Sequence, residues 1–385
     1  MIEFDRAEHE VLFCVARRHA DETRLRQLLK RPLDWDYLCA AASNHGLIPL
    51  LHKHLHAMDA DLVPIKTRSR LKHQSVSNSQ TVLHLFAKQL KLFRLFKENE
   101  IPAAIFKGSV LAQTAYGEIS LRQAGDIDVL ISRAQFDRAR EILESLGYQM
   151  TPSITRAQLS SHLNTHCEIQ FMRDDWFTVV DLHWALAPKT FVFKLETEDV
   201  LTRLQRVRVA DVEFETLATE DSILYQAMHG AKHLWRRLEW ISSLGETIRA
   251  ADSIDWEVVI DRAANARATR MLNLGVQLAQ RVSHIDVPFR LNDKSIADEV
   301  LSRIFTVSGA ADSTETNLYN LKIMDRKRDA LISALRALFV PTFTDWHALN
   351  LPPSLHSLYY AYRPLRLSKI YSASLWQKLS SRGAE

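Results

Sequence analysis

Two carboxylates separated by one residue interrupt an apolar run, Gly125-Asp126-Ile127-Asp128-Val129-Leu130-Ile131. Side chains of a strand alternate between faces, so Asp126 and Asp128 share one face while Ile127 and Val129 point into a core. Two such charges side by side repel and raise each other's pKa. Burying them without partners is costly. A chain that keeps this pair on an apolar strand calls for a cation between them, and hard oxygen donors suit Mg²⁺. Mg²⁺ in turn points to phosphate chemistry. The bland alternative is an edge strand with two solvated acids, and the flanking Val129, Leu130 and Ile131 argue against it.

The segment before the pair reads as a strand from Pro102 to Phe106, a Lys107-Gly108-Ser109 turn and a helix from Val110 to Tyr116. Glycine between strand and helix lets backbone N–H groups approach an anion. The Ser109 hydroxyl adds a donor and Lys107 a cation, although any strand-to-helix turn can use Gly-Ser. Arg122, in the loop ahead of Asp126, can clamp a phosphate bidentately or sit on the surface. Two-metal phosphoryl chemistry wants a third acid. Val180-Asp181-Leu182 supplies one on another apolar strand; Glu168, between Cys167 and Ile169, competes for the role. Asp181 is preferred because its strand is more apolar. By period two His183 lies on the same face, either behind the metal ligands or as a satisfied core histidine.

His229 and His233 stand four apart on one expected helix, a spacing that can bind zinc. Gly230 stands where a zinc protease would carry its glutamate, so packing at a domain interface is preferred to a zinc hydrolase. A third reading has His229, Lys232 or His233 facing a cleft and touching substrate.

At 385 residues the chain can hold two or three domains of roughly 100–200 residues. Only 10 Gly and 11 Pro occur, so few turns and long helices are expected. Helices are expected over 6–95, with a strong amphipathic one at 79–98. A mixed block follows, with strands at 126–131, 166–172 and 178–184, a helix from Ala134 to Leu146, and a hairpin turn at Arg173-Asp174-Asp175-Trp176. Long periodic segments then run over 220–250, 255–285, 295–306 and 315–338. The expected fold is α+β: a small mixed sheet at 99–215, flanked by helical regions at 1–98 and 216–385. A net charge of +3 does not argue for nucleic acid binding. The short basic segments Arg236-Arg237 and Arg363 to Lys369 read as a solvated face or as interdomain pairs. Three scattered cysteines, no signal-like start and no apolar run near ~20 residues lead to the expectation of a cytoplasmic protein without a membrane span.

Gly108-Ser109, Asp126-x-Asp128 and Asp181 resemble, in order and spacing, the nucleotidyltransferase superfamily that includes DNA polymerase β. More of the chain resembles a bacterial family of uncharacterised nucleotidyltransferases. The resemblance runs through His45-Gly46-Leu47-Ile48-Pro49, Phe106-Lys107-Gly108, Tyr116 with Arg122, and Gly125 to Asp128. It continues in Asp181-Leu182-His183-Trp184, His229 to Trp235, Arg237-Leu238-Glu239-Trp240 and the tail from Asp345-Trp346 to Leu367. The chain departs from the family at Ser243, where an acid often stands. The resemblance implies transfer of an NMP from an NTP such as ATP to an acceptor, with release of pyrophosphate. Two Mg²⁺ ions would be held by Asp126, Asp128 and Asp181. Lys107, Gly108, Ser109 and Arg122 would bind the phosphates, and His183, His229, Lys232 and His233 would lie toward the acceptor. The acceptor, whether small molecule, sugar, peptide, protein or RNA, is left open. The rival expectation is a catalytically silent nucleotide-binding or regulatory module.

Overall fold

The structure is a computed structural model that describes residues 4–173, 178–289, 295–305, 313–349 and 351–382. Helices α1 (Ala7–Val15), α2 (Glu22–Leu29), α3 (Trp35–Asn44), α4 (Ile48–His56) and α5 (Ile65–Glu98) open the chain. The mixed block then runs β1 (Ala103–Ile105), α6 (Gly108–Tyr116), β2 (Ile127–Ile131), α7 (Phe136–Ser145), β3 (Gln149–Thr151) and α8 (Arg156–Thr165). It closes with β4 (Glu168–Met172), β5 (Val179–His183), α9 (Thr197–Leu201), β6 (Gln205–Val209) and β7 (Val212–Thr216). Helices α10 (Thr219–Lys232), α11 (Leu238–Ala250), α12 (Trp256–Asn265), α13 (Thr269–Ser283) and α14 (Ser295–Arg303) follow. The chain ends in α15 (Ser313–Ile323), α16 (Lys327–Phe339), α17 (Phe343–Ala348) and α18 (Tyr359–Arg382). This is the expected α+β architecture. No helix among the described residues is long and apolar enough to cross a membrane.

The main sheet has the order β1-β2-β5-β4-β3, with β2 and β5 parallel and the other pairs antiparallel. Period-two alternation divides its faces. Ala103, Ile105, Ile127, Val129, Ile131, Ile169, Phe171, Val180 and Leu182 enter one core, closed by Leu85, Phe86, Leu92, Phe93 and Phe96 of α5 and by Phe136, Ala139 and Leu143 of α7. Each such fully buried large side chain contributes about 1.5–3 kcal/mol. The opposite face carries Asp128, Leu130, Glu168, Gln170, Asp181 and His183. Leu130 there joins Ala104, Phe106 and α6 to a second core shared by the N-terminal and C-terminal helices. The acids therefore lie on the face over which the two helical regions close.

Several expected elements change. The amphipathic helix expected at 79–98 continues back to Ile65 as one helix, within the stretch expected to be helical; its first half is polar and buries little beyond Thr67 and Leu71. The segment 220–250 is two helices. Leu234 and Trp235 take positive φ, and Trp235 N–H donates to Gly230 O at 2.8 Å, a left-handed C-terminal stop. That reversal folds the fully buried Trp235 ring onto Gly230, leaving no room for a side chain there. The segment 255–285 breaks in the same way at Arg267, and 315–338 breaks between Ile323 and Lys327. The hairpin of β6 and β7 was not expected. Its signal was the alternation of Val207, Val209 and Phe214 with Arg206 opposite Glu215 and Arg208 opposite Glu213. Residues 174–176 of the expected hairpin turn lie outside the described residues, although Met172 pairs with Val179 on either side.

Candidate active site

Lys107 leaves β1 extended and Gly108 takes φ +55°, in the region that favours glycine. Space is not the reason for the glycine, since a Cβ there would meet only Asp126 O, at 3.8 Å. The turn instead lies against the backbone of the first acid, with the positive end of α6 beside it. Ser109 is buried, and its hydroxyl donates to Gln89 Oε1 of α5 at 2.9 Å, anchoring the turn from below.

Asp126 immediately precedes β2, and Asp128 stands on it, 2 % exposed. The parallel register sets Asp128 directly opposite Asp181, whereas Glu168 pairs with His183. Lys107 Nζ donates to Asp128 Oδ1 at 2.6 Å, and His183 Nε2 lies 3.0 Å from the same oxygen. Burial alone would raise the Asp128 carboxyl. The Lys107 ammonium and the His183 ring outweigh it and hold it down to about 2. His183 Nδ1 lies 3.0 Å from Glu168 Oε2, so the ring bridges two carboxylates. Its burial favours the neutral form, yet Glu168 and Asp128 raise its pKa well above the ordinary value. His183 is thus a buried histidine with a carboxylate in ion-pair range of each ring nitrogen.

Asp181 has no such support. Burial, then the charges of Asp128 and Asp126, push its carboxyl up to about 7. Its Oδ1 is buried without a hydrogen-bond partner among the described residues. Burial and Asp128 also raise Asp126. Asp128, Asp181 and His183 bring ligand atoms within 4.8 Å of one another, and so do Cys167, Glu168 and His183. Asp126 is in neither group, although its charge acts on Asp181; the Asp128–Asp181 pair, with an orphaned oxygen in a poorly solvated place, fits a hard divalent cation.

A family model described as uncharacterised nucleotidyltransferase matches residues 31–284, from just ahead of α3 through α13. The chain belongs to that family. A search of curated proteins finds no match. The matched span contains the β1–α6 turn and every acid described above.

In this member of the family Arg122 is drawn toward the C-terminal helices: its Nε lies 3.0 Å from Glu239 Oε1 of α11. Burial would lower the Arg122 pKa, but Glu239 raises it, so the guanidinium stays charged. Ser243 is the position read in the sequence as a departure from the family resemblance. Its hydroxyl and that of Ser242 pair with Tyr116 Oη at 3.2 and 2.9 Å, closing α11 onto α6. His229 and His233 pack on each other and on Trp240, with ring centroids 4.6–5.4 Å apart. Burial, then Lys107, lowers His229 well below its ordinary value. Among the described residues neither histidine belongs to a group of three possible metal ligands. Lys232 follows on the last turn of α10 and contributes to the field that lowers Glu168. Of the expected basic segments, Arg363 and Arg366 both pair with the buried Asp345, tying α18 to α17 within the expected C-terminal region. Gln89 and Tyr225, whose ring faces Phe106 and lies near Lys107, were not singled out in the sequence. Glu239 entered there only within the Arg237-Leu238-Glu239-Trp240 segment of the resemblance.

Proposed function

We propose that this protein transfers a nucleoside monophosphate from an NTP to an acceptor nucleophile and releases pyrophosphate. The polymerase-β-like superfamily supplies the parent chemistry. The observation that carries the reading is the strand register that sets Asp181 opposite Asp128, with an orphaned buried oxygen between acids. Asp126, Asp128 and Asp181 would hold two Mg²⁺ ions, which supply charge neutralisation on the triphosphate and activation of the acceptor.

The protein's own groups do the rest. The α6 N-terminus at Gly108 and Ser109 receives phosphate oxygens, and Lys107 and Arg122 balance their charge. The acceptor oxygen attacks the α-phosphorus in line, the bond to the β-phosphate oxygen breaks, and pyrophosphate leaves. The acceptor's proton passes toward Asp181. His183, bridging Asp128 and Glu168, fixes the orientation of both. The wall of His229, His233 and Trp240, with Lys232 beside it, faces the acceptor. Three buried free cysteines fit a reducing cytoplasm.

The test is Mg²⁺-dependent pyrophosphate release from each of the four NTPs, with protein alone and with cell extract as a source of acceptor. Wild-type release that Asp126→Ala/Asp128→Ala lacks supports transfer. NTP binding without release under any condition would favour a silent nucleotide-binding module, the reading that the closure of Lys107 and His183 on Asp128 Oδ1 also suits. Absence of both release and binding would sink the site assignment.

A further inference from the structure

Glu239 is a buried carboxylate at the meeting point of three separate segments. It is 3 % exposed, and its backbone N–H donates to His45 O at 3.1 Å. Its neighbour Leu238 N–H donates to His45 Nδ1 at 3.3 Å. Gly46, at φ +73°, leaves open the space the Glu239 carboxylate fills, and a Cβ there would overlap it. Arg237 Nη2 holds Glu239 Oε2 at 2.8 Å, leaving Oε1 to Arg122 Nε at 3.0 Å. The carboxylate is thus fixed by the N-terminal helices on one side and by α11 on the other.

Arg122 is fixed only along one edge. Asn78 Nδ2 of α5 holds its carbonyl at 3.4 Å and the Ser120 carbonyl at 3.1 Å, so the loop backbone is pinned. The side chain is 14 % exposed and its Nε lies in ion-pair range of Glu239 Oε1 without hydrogen-bond geometry, and its Nη groups make no hydrogen bond among the described residues. A guanidinium held by an ion pair on its Nε side, with both Nη groups left to other partners, can take a phosphate bidentately. The fork lies in the loop that leads straight into Asp126 and Asp128, and its charge acts on both acids.

We propose that Glu239 is a positioning residue: by taking the Nε edge of Arg122 it aims the open Nη fork at the phosphates of the bound nucleotide. The inference rests on the nucleotidyl-transfer reading above. It also explains why an acid so far from the metal ligands is built into the junction of both helical regions. Closure of those regions and correct aim of the arginine become one event.

A double-mutant cycle on the full chain tests it. The NTP that binds most tightly with Mg²⁺, and its monophosphate, are titrated calorimetrically against wild type, Arg122→Ala, Glu239→Gln and the double variant. Thermal melting confirms that each is folded. The triphosphate-to-monophosphate affinity ratio should fall roughly tenfold in either single variant, and no further in the double. A merely structural role would weaken both nucleotides alike and leave the ratio intact. An unchanged ratio in Glu239→Gln, or effects that add in the double variant, would overturn the inference while leaving nucleotidyl transfer standing. Wild type that binds no NTP, or binds it no better than the monophosphate, would overturn both. If Glu239→Gln does not fold, Glu239→Asp keeps the charge but withdraws it by one CH₂, and a smaller loss of the same ratio is expected.

Discussion

Replacing Asp181 by Asn should stabilise the protein without metal while removing its response to Mg²⁺. The carboxyl titrates at about 7 in the fold and at 3.8 in its ordinary state. The folded form therefore binds the extra proton between those values. Stability contributed by this group is lost as pH rises from about 4 to 7, and the loss is complete above 7. A shift of about three units corresponds to at most about 4 kcal/mol at pH 8, using 1.36 kcal/mol per unit. Relaxation of the cluster reduces this, so Asp181→Asn should gain about 2 kcal/mol there, a rise of a few degrees in melting temperature. Below about pH 4 the wild-type group is protonated in both states and the gain should vanish. Differential scanning fluorimetry in EDTA at pH 4 and pH 8, then with Mg²⁺, reads all of this. Mg²⁺ should raise the wild-type melting temperature at pH 8 and leave Asp181→Asn nearly unmoved. A destabilised Asp181→Asn at pH 8 in EDTA, or equal stabilisation of both proteins by Mg²⁺, would refute the reasoning.

Two further outcomes follow from packing and burial. Gly230→Ala would drive a methyl into the rigid, fully buried Trp235 ring, so a loss of about 3 kcal/mol is expected in urea unfolding; a loss under about 1 kcal/mol would show that the α10–α11 corner yields. Burial, then neighbouring positive charge, depresses His45 and His166 to about 4. Their contribution is present above the ordinary 6.5 and lost as pH falls toward 4, so His45→Gln should flatten part of the decline in melting temperature between pH 6.5 and 4.

Much of the site was legible because its signals are local. Alternation along 125–131 placed Asp126 and Asp128 on one face, since the pleat of a strand depends on nothing beyond the strand. Gly108 marked a turn whose backbone takes φ +55°. Burial of α5 could be read only where its apolar stripe begins, so its extent as one helix from Ile65 could not be read from the stripe. The breaks at Trp235 and Arg267 escaped as well, because helical periodicity continues across a left-handed residue and only packing reveals the reversal.

The sequence by itself determined the donor types, their alternation and the turn chemistry, all set by the chain within a few residues. Tertiary structure decided which of Asp181 and Glu168 faces Asp128, because that depends on the register between β2 and β5, strands separated by a crossover. It also decided that Lys107 and His183 share one oxygen of Asp128 and that Glu239 reaches Arg122 across the molecule. Charges act through space, and only the folded chain sets the distances between them.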